Sequence, residues 1–320
     1  MTLAISPFPV DLPASLALAE EAMRARLAPG EQLSELLPPV VSAIRTGRAS
    51  GGLLRLDGVT CGIVTWVPAG PLGTALRLLY LASRYATLET YRSALDVAES
   101  AAGPIAFLPG QLGGLTESEE SSLLRGRGFA PYGRSEMSLP PAASVPTFPV
   151  PLGVEVRPLR TADEPELARL HERAYEDHLD RYLAIEAVDP RHDADRQLRE
   201  YFSGRYGEIL SPGSSVAADH GHVVAAVIAT RYGPSERALI IDVMTDPDRQ
   251  GLGLGRAVLS DAVRALRDRG ESPIVLNVTE GNEPATRLYA RVGFLRSMGP
   301  TREWYDARRI RVRYPLGEPR

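Results

Sequence analysis

The stretch "TDPDRQGLGLGRAVLSDAV", residues 245 to 263, places Gly251, Gly253 and Gly255 at alternate positions between an apolar run ending at Met244 and an amphipathic helical pattern. Backbone N–H groups opening a helix have no intrahelical partners, and the helix dipole is positive there, so such a turn suits a phosphate or pyrophosphate. Two familiar phosphate motifs are excluded. A Walker loop needs Lys after its last glycine, where Arg256 and then Ala257 stand. A dinucleotide fingerprint needs a third glycine three residues after the second, and Arg256 or Val258 occupies that place in either frame.

Other side chains near this turn are equipped for chemistry. Arg249 and Arg256 flank it with positive charge, and Asp242 is a lone carboxylate in the apolar run before it. Asp242 could relay a proton, orient an ammonium group or serve the structure alone. Glu208, Glu236 and Glu280 are further carboxylates that nothing in the sequence ranks. His220 and His222 in "DHGHV" have metal-like spacing, but a tight hairpin turn accounts for them, and no metal site is expected.

The elements that must position these groups follow from periodicity. After "LPPAASVPTFPVPLG", whose prolines disfavour both helix and central strand, the order is strand from Val154, helix from about residue 163, irregular segment and second helix to about residue 205. Three apolar strands then lead to the glycine turn. Helix 254–269 carries Val258, Leu259, Ala262, Ala265 and Leu266 on one face. A strand "PIVLNV", a helix with Asn282 as N-cap and Pro284 in its first turn, and two closing strands complete the half. The first half runs from helical segments into three strands, a helix, a strand, a short helix and a last strand. It repeats this order without the glycine turn. Domains 1–145 and 146–320 are therefore expected.

Composition bounds the function. The chain has 320 residues and a formal net charge of −4, which gives no general footprint for nucleic acid. Every one of its 36 basic residues is Arg, so lysine chemistry is excluded. The single cysteine, Cys61, lies in the apolar run "TCGIVTWV" and reads as a buried small side chain. No apolar run approaches the roughly 20 residues that span a bilayer, and no signal-peptide pattern opens the chain, so no membrane association and a cytoplasmic location are expected.

Two segments together carry a family resemblance. "Gln250-Gly251-Leu252-Gly253-Leu254-Gly255" resembles the Q/R-x-x-G-x-G/A motif of the GCN5-related N-acetyltransferases (GNAT), and "NEPATRLYARVGF" from Asn282 to Phe294 resembles their N-x-x-A-x-x-L-Y-x-x-x-G-F segment. The resemblance spans about residues 153 to 314. It implies an α/β fold with a mixed, mostly antiparallel sheet flanked by helices, here as two tandem GNAT-like domains. It further implies acetyl-coenzyme A as cofactor, with Val243, Thr245, Arg249, Gln250, Gly251, Gly253, Gly255, Arg256 and Asn282 as the binding positions. Pantetheine would pair with strand backbone near Val243 and Thr245, and the amide near Val243 would polarise the thioester carbonyl. Tyr289 matches the general acid, and Asp242 is the candidate base. The segment "YEDHLDRYLAIEAVDPRHD" would wall the acceptor site, with Tyr175, Asp177, His178, Tyr182 and Glu186 as candidates and an acidic character that favours a cationic acceptor.

The expected activity is acetyl transfer to a primary amine of a small molecule or peptide, by direct attack in a ternary complex in the C-terminal domain. The alternative is a catalytically silent acyl-coenzyme A binding module. Monomer and homodimer are both compatible with the sequence. The first half lacks the glycines where a cradle would lie, and "ALRLLYLASRY" continues apolar through that place, so a degenerate domain with its slot filled by Leu and Tyr is expected. Tandem members with one active half occur in that family.

Overall fold

In a computed structural model of the chain, the residues described are 2–8, 12–25, 33–46, 50–176, 178, 180, 193–232, 237–298 and 301–310. Internal contacts divide the chain into two units. Met1–Tyr132 and Thr301–Arg311 belong to the first, and Gly133–Ala184 with Pro190–Pro300 belong to the second. The division thus falls at Tyr132/Gly133, ahead of the proline-rich segment, and a C-terminal piece returns to the first unit.

The first unit runs β1 (Leu3–Pro7), α1 (Leu12–Ala25), α2 (Leu33–Arg45), β2 (Ser50–Leu56), β3 (Val59–Pro68), β4 (Thr74–Leu81), α3 (Leu88–Ala102), β5 (Ile105–Pro109), α4 (Glu117–Gly126) and the start of β6 (Phe129–Leu139). Strands β1 to β4 pair antiparallel in sequence order, and β4 pairs parallel with β5. The returning strand Thr301–Asp306 pairs antiparallel with β5 and buries Trp304 in a core with Leu54, Val64, Leu95 and Leu108. Cys61 is buried there, its Sγ donating to Leu54 O at 3.3 Å. The short strand β1, at the sheet edge, lacks an alternating pattern long enough to read from sequence.

The second unit adds β7 (Val154–Pro158), α5 (Glu164–Ala174), α6 (Asp193–Phe202), β8 (Glu208–Ile209), β9 (Ser215–Asp219), β10 (His222–Tyr232), β11 (Arg237–Thr245), α7 (Leu254–Asp268), β12 (Ile274–Thr279), α8 (Glu283–Val292) and β13 (Leu295–Arg296); the returning strand is β14 (Thr301–Asp306). Its strand order is β6-β12-β11-β10-β9-β7, with β11 and β12 parallel and the other neighbours antiparallel. One face packs Val258, Leu259, Ala262 and Leu266 of α7 with Val292 and Phe294. The other packs Leu167 and Leu170 of α5 with Leu198 and Tyr201 of α6, Val216 and Met244. Each buried Val, Leu, Phe or Met among them contributes roughly 1.5–3 kcal/mol of transfer free energy. Among the described residues no helix is long and apolar enough to cross a membrane.

Candidate active site

Strands β11 and β12 pair over only three residues, Ala238↔Ile274, Leu239↔Val275 and Ile240↔Leu276. Beyond Ile240 they part. Asp246 N donates to Val224 O on β10 at 2.9 Å, and backbone groups alternate sides along a strand. Val243 and Thr245 therefore turn their backbone N–H and C=O away from β10, toward the gap. Main chain that a third strand would normally satisfy faces an opening where an extended ligand can pair with it.

The register shift that opens this gap also aims the acid. Between the pairs Ile228↔Asp242 and Ala229↔Ile240, Ile241 is an extra residue on β11. Ile240 packs with the α7 core, whereas Met244 packs with the α5/α6 core. One inserted residue exchanges the faces of everything after it. Without the bulge Asp242 would lie among Val258 and Leu266; with it, Asp242 meets α5 and α6.

There Asp242 is 4% exposed and ringed by hydroxyl groups. Tyr175 Oη donates to Oδ1 at 2.5 Å, Tyr201 Oη lies 3.4 Å from Oδ2, and His171 Nε2 lies 3.7 Å from Oδ2. Burial pushes the Asp242 carboxyl up to about 7, opposed by the Tyr175 hydrogen bond; the charge of Asp180 adds to the rise, and Tyr201 and the Val243 N–H oppose it. Tyr175 and Tyr201 are themselves held well above the ordinary phenol value, first by burial and then by the charge on Asp242. The carboxyl thus changes charge near neutrality while its neighbours remain proton donors.

Tyr289 approaches the same electrostatic environment from α8. It is 8% exposed and packs edge-on against Phe294. Its pKa is raised by burial, then by the charges of Asp180 and Asp242, with Arg134 opposing. Asp180 Oδ1 accepts from Thr279 Oγ1, at the end of β12, at 2.5 Å. His178 stands between, its Nε2 3.0 Å from Asn282 Nδ2 and its ring 5.9 Å from that of Tyr175.

The glycine turn closes one end of the gap. Gly251 and Gly253 have φ of +81° and +83°, conformations that side chains resist, and Gly253 is the N-cap of α7. A Cβ on Gly255 would stand 3.0 Å from Thr245 Oγ1 and 3.7 Å from Leu288. These are the marks of a turn built for close backbone approach. Gln250 closes the preceding 3₁₀ turn, which is tied down by Arg173 to Asp246 (2.8 Å) and Asp248 (2.7 Å), and by Arg249 to Asp219 (2.7 Å). Arg249, expected as flanking positive charge, thus also braces the turn. Arg256 lies 5.1 Å over the Phe148 ring, beside the Gly253 turn.

The structure brings Asp242, Tyr175 and His178 together on the α5 side and places Tyr289 within their electrostatic reach. Asn282 caps α8 through Ala285 N. Asp177, Tyr182, Glu186 and Glu236 lie outside the described residues. Glu280 is bound to Arg296 and to Ser135, and Glu208 pairs along β8, so neither is placed at Asp242. His220 and His222 occupy the β9–β10 turn, paired with Asp219 and Glu166. Sequence reading missed His171, Tyr201, Asp180 and Thr279. The four-residue spacing of His171 and Tyr175, whose rings lie 4.6 Å apart, was the available signal for one shared helical face.

Comparison with known proteins agrees with this geometry. The acetyltransferase (GNAT) family model matches residues 168–294. A mycothiol acetyltransferase of Thermomonospora curvata is 33% identical over 153 residues, 48% of this chain and 48% of its own. Another from Saccharopolyspora erythraea is 29% identical over 185 residues, 58% of this chain and 56% of its own. The chain spans about half the length of these curated relatives. Among solved structures, a GCN5-related N-acetyltransferase from Sphaerobacter thermophilus superposes with a TM-score of 0.60 at 17% identity, covering 95% of this chain and 94% of that one. A tandem GNAT protein of the clavulanic acid biosynthesis pathway gives 0.53 at 15%, covering 95% and 98%. The tandem mixed-sheet fold expected from the sequence is borne out.

Proposed function

We propose that this chain, whose residues 168–294 carry an acetyltransferase domain of the GNAT family, transfers an acetyl group from acetyl-coenzyme A to a primary amine in its C-terminal unit. Acetyl-coenzyme A supplies the acetyl group as a thioester. The turn from Gln250 to Gly255 would hold its pyrophosphate, with Arg256 alongside, and the backbone of Val243 and Thr245 would hold pantetheine. The gap beyond Ile240 and the tight space at Gly255 fit such a ligand.

The observation that carries the reading is a buried carboxyl that titrates near 7 beside the parted strands, with the Tyr289 phenol in its electrostatic field. Asp242 takes a proton from the amine, which Tyr175 and Tyr201 assist by stabilising its ionised form. Val243 N–H, which also reaches the Asp242 carboxylate, is the donor to the thioester carbonyl. A nitrogen–carbon bond forms and the carbon–sulfur bond breaks. Tyr289 gives its proton to the departing sulfur and is reprotonated in turn. For an acceptor that enters as an ammonium ion, one proton ends on sulfur and one leaves to solvent through Asp242.

With no cysteine in residues 153–320, a cysteine-linked acetyl-enzyme has no nucleophile there, so attack is direct. A small-molecule or peptide amine acceptor and a cytoplasmic setting belong to this proposal. Coenzyme A release with an amine panel, paired with a mass gain of one acetyl group on the product, tests it. Tight acetyl-coenzyme A binding without release for any amine would instead identify a silent binding module.

A further inference from the structure

The gap where β11 and β12 part has a carboxylate on each side. Asp242 stands on β11. Asp180 is held to the end of β12 by Thr279 Oγ1, with its backbone N–H donating to His178 Nδ1 at 3.1 Å. Contacts run in an arc from Asp242 through Tyr175 and His178 to Asp180 and Thr279. Tyr289 lies within the field of both carboxylates.

We infer that Asp180 is a specificity-determining residue that receives the acceptor as a cation, seating an alkylammonium group between its own carboxylate and Asp242 before deprotonation. This rests on the acetyl-transfer reading above. Three features support it. The Asp180 side chain is 26% exposed, against 2% for Asp242, so the first carboxylate is open to an arriving ligand and the second is not. Its Oδ1 is fixed by a hydroxyl, and its Oδ2 lies 3.4 Å from His178 Nδ1, the nitrogen that accepts from the Asp180 N–H. A cation seated between two carboxylates is attracted by both. The outer carboxylate captures the ammonium and the inner one, poised near neutrality, removes its proton.

The test is steady-state kinetics on the full chain with two acceptors: an amino-acid amide, cationic at neutral pH, and an arylamine, neutral at that pH. Asp180→Asn should raise KM for the amide about 10- to 100-fold with a smaller change in kcat, because one charge-assisted contact is lost. KM for the arylamine and for acetyl-coenzyme A should hardly move. The acid limb of the pH profile should shift toward lower pH, because Asp180 raises the Asp242 pKa. Thr279→Val, which releases Asp180 without removing its charge, should raise KM for the amide less, and Asp180→Glu should restore much of it. Equal loss with both amines, or an unchanged KM with an unchanged acid limb, would overturn the inference alone. A wild-type chain that acetylates neither these acceptors nor any amine of the broader panel would overturn the acetyl-transfer reading together with it.

Discussion

The Tyr175 hydroxyl, at the C-terminal end of α5, donates a 2.5 Å hydrogen bond to Asp242 Oδ1 on β11. It is the strongest influence holding the carboxyl down against burial. Tyr175→Phe should therefore raise the Asp242 pKa and move the acid limb of kcat/KM upward by about one pH unit, since a hydrogen bond to a charged group contributes roughly 1.5–3 kcal/mol and one unit is about 1.4. Activity well above the limb should be little changed. A profile that keeps its limb while losing height throughout would show that Tyr175 acts on the acceptor instead.

Asp242 should cost stability where it serves catalysis. Its pKa rises from 3.8 to about 7 on folding, so between these values the native state binds more protons than the unfolded one, and stability falls as pH rises through that window. Asp242→Asn removes the buried charge. The variant should be more stable than wild type at pH 8 by on the order of 2–4 kcal/mol, with the difference closing below about pH 4, while kcat falls at least about 100-fold. Urea unfolding at several pH values reads this directly. A variant less stable at pH 8 would mean that the hydrogen bonds to Asp242 outweigh its desolvation.

Tyr289→Phe should lower kcat about 10- to 1000-fold and leave acetyl-coenzyme A affinity nearly intact, because only the proton is removed and the ring keeps its packing against Phe294. An unchanged single-turnover rate would remove Tyr289 from the mechanism.

The parts of this site that were legible in the sequence are those carried by local patterns. Gly251, Gly253 and Gly255 announce a turn through their own conformational needs, and Asn282 with Pro284 announces the start of α8. Asp242 was visible as a carboxylate in an apolar run, but the face it occupies was not, since a bulge at Ile241 is decided by how β10 and β11 register. His171, Tyr201 and Asp180 join Asp242 only when α5, α6 and the end of β12 pack around one space. One departure of the first unit from its expectation bears on the cofactor slot. Its strands β4 and β5 do part, after Thr74↔Ile105 and Ala75↔Phe107, rather than being held closed by Leu and Tyr.

Gly253→Val should weaken coenzyme A binding at least about tenfold, through a φ of +83° that valine resists and a side chain beside the Arg256 guanidinium, 3.0 Å from the Cβ position. A pantetheine fragment without the pyrophosphate should lose less. Equal loss for both ligands, measured by calorimetry, would indicate that the whole unit is disturbed and that the turn is no pyrophosphate cradle.

One coenzyme A should bind per chain, because the first unit fills its own parted strands. Gly114 folds against the entrance of α3 so closely that a Cβ there would lie 2.5 Å from the Ala86 side chain, and Leu112 is 1% exposed. Glu120 fastens this loop, accepting from Gln111 N, Leu112 N and Trp304 Nε1. One of the first helical donors of α3 is also taken, since Thr87 Oγ1 accepts from Thr90 N. A pyrophosphate would have to displace a loop held by two backbone hydrogen bonds to a carboxylate that Trp304 also fixes. Trp304 belongs to this unit, so residues 1–145 alone would lack part of its core, and the measurement belongs on the full chain. Titration calorimetry should give a ratio near one for wild type, and for Gly253→Val the single transition should weaken with no second site left behind. A ratio near two, or a tight residual site in the variant, would show that the first unit still takes the cofactor.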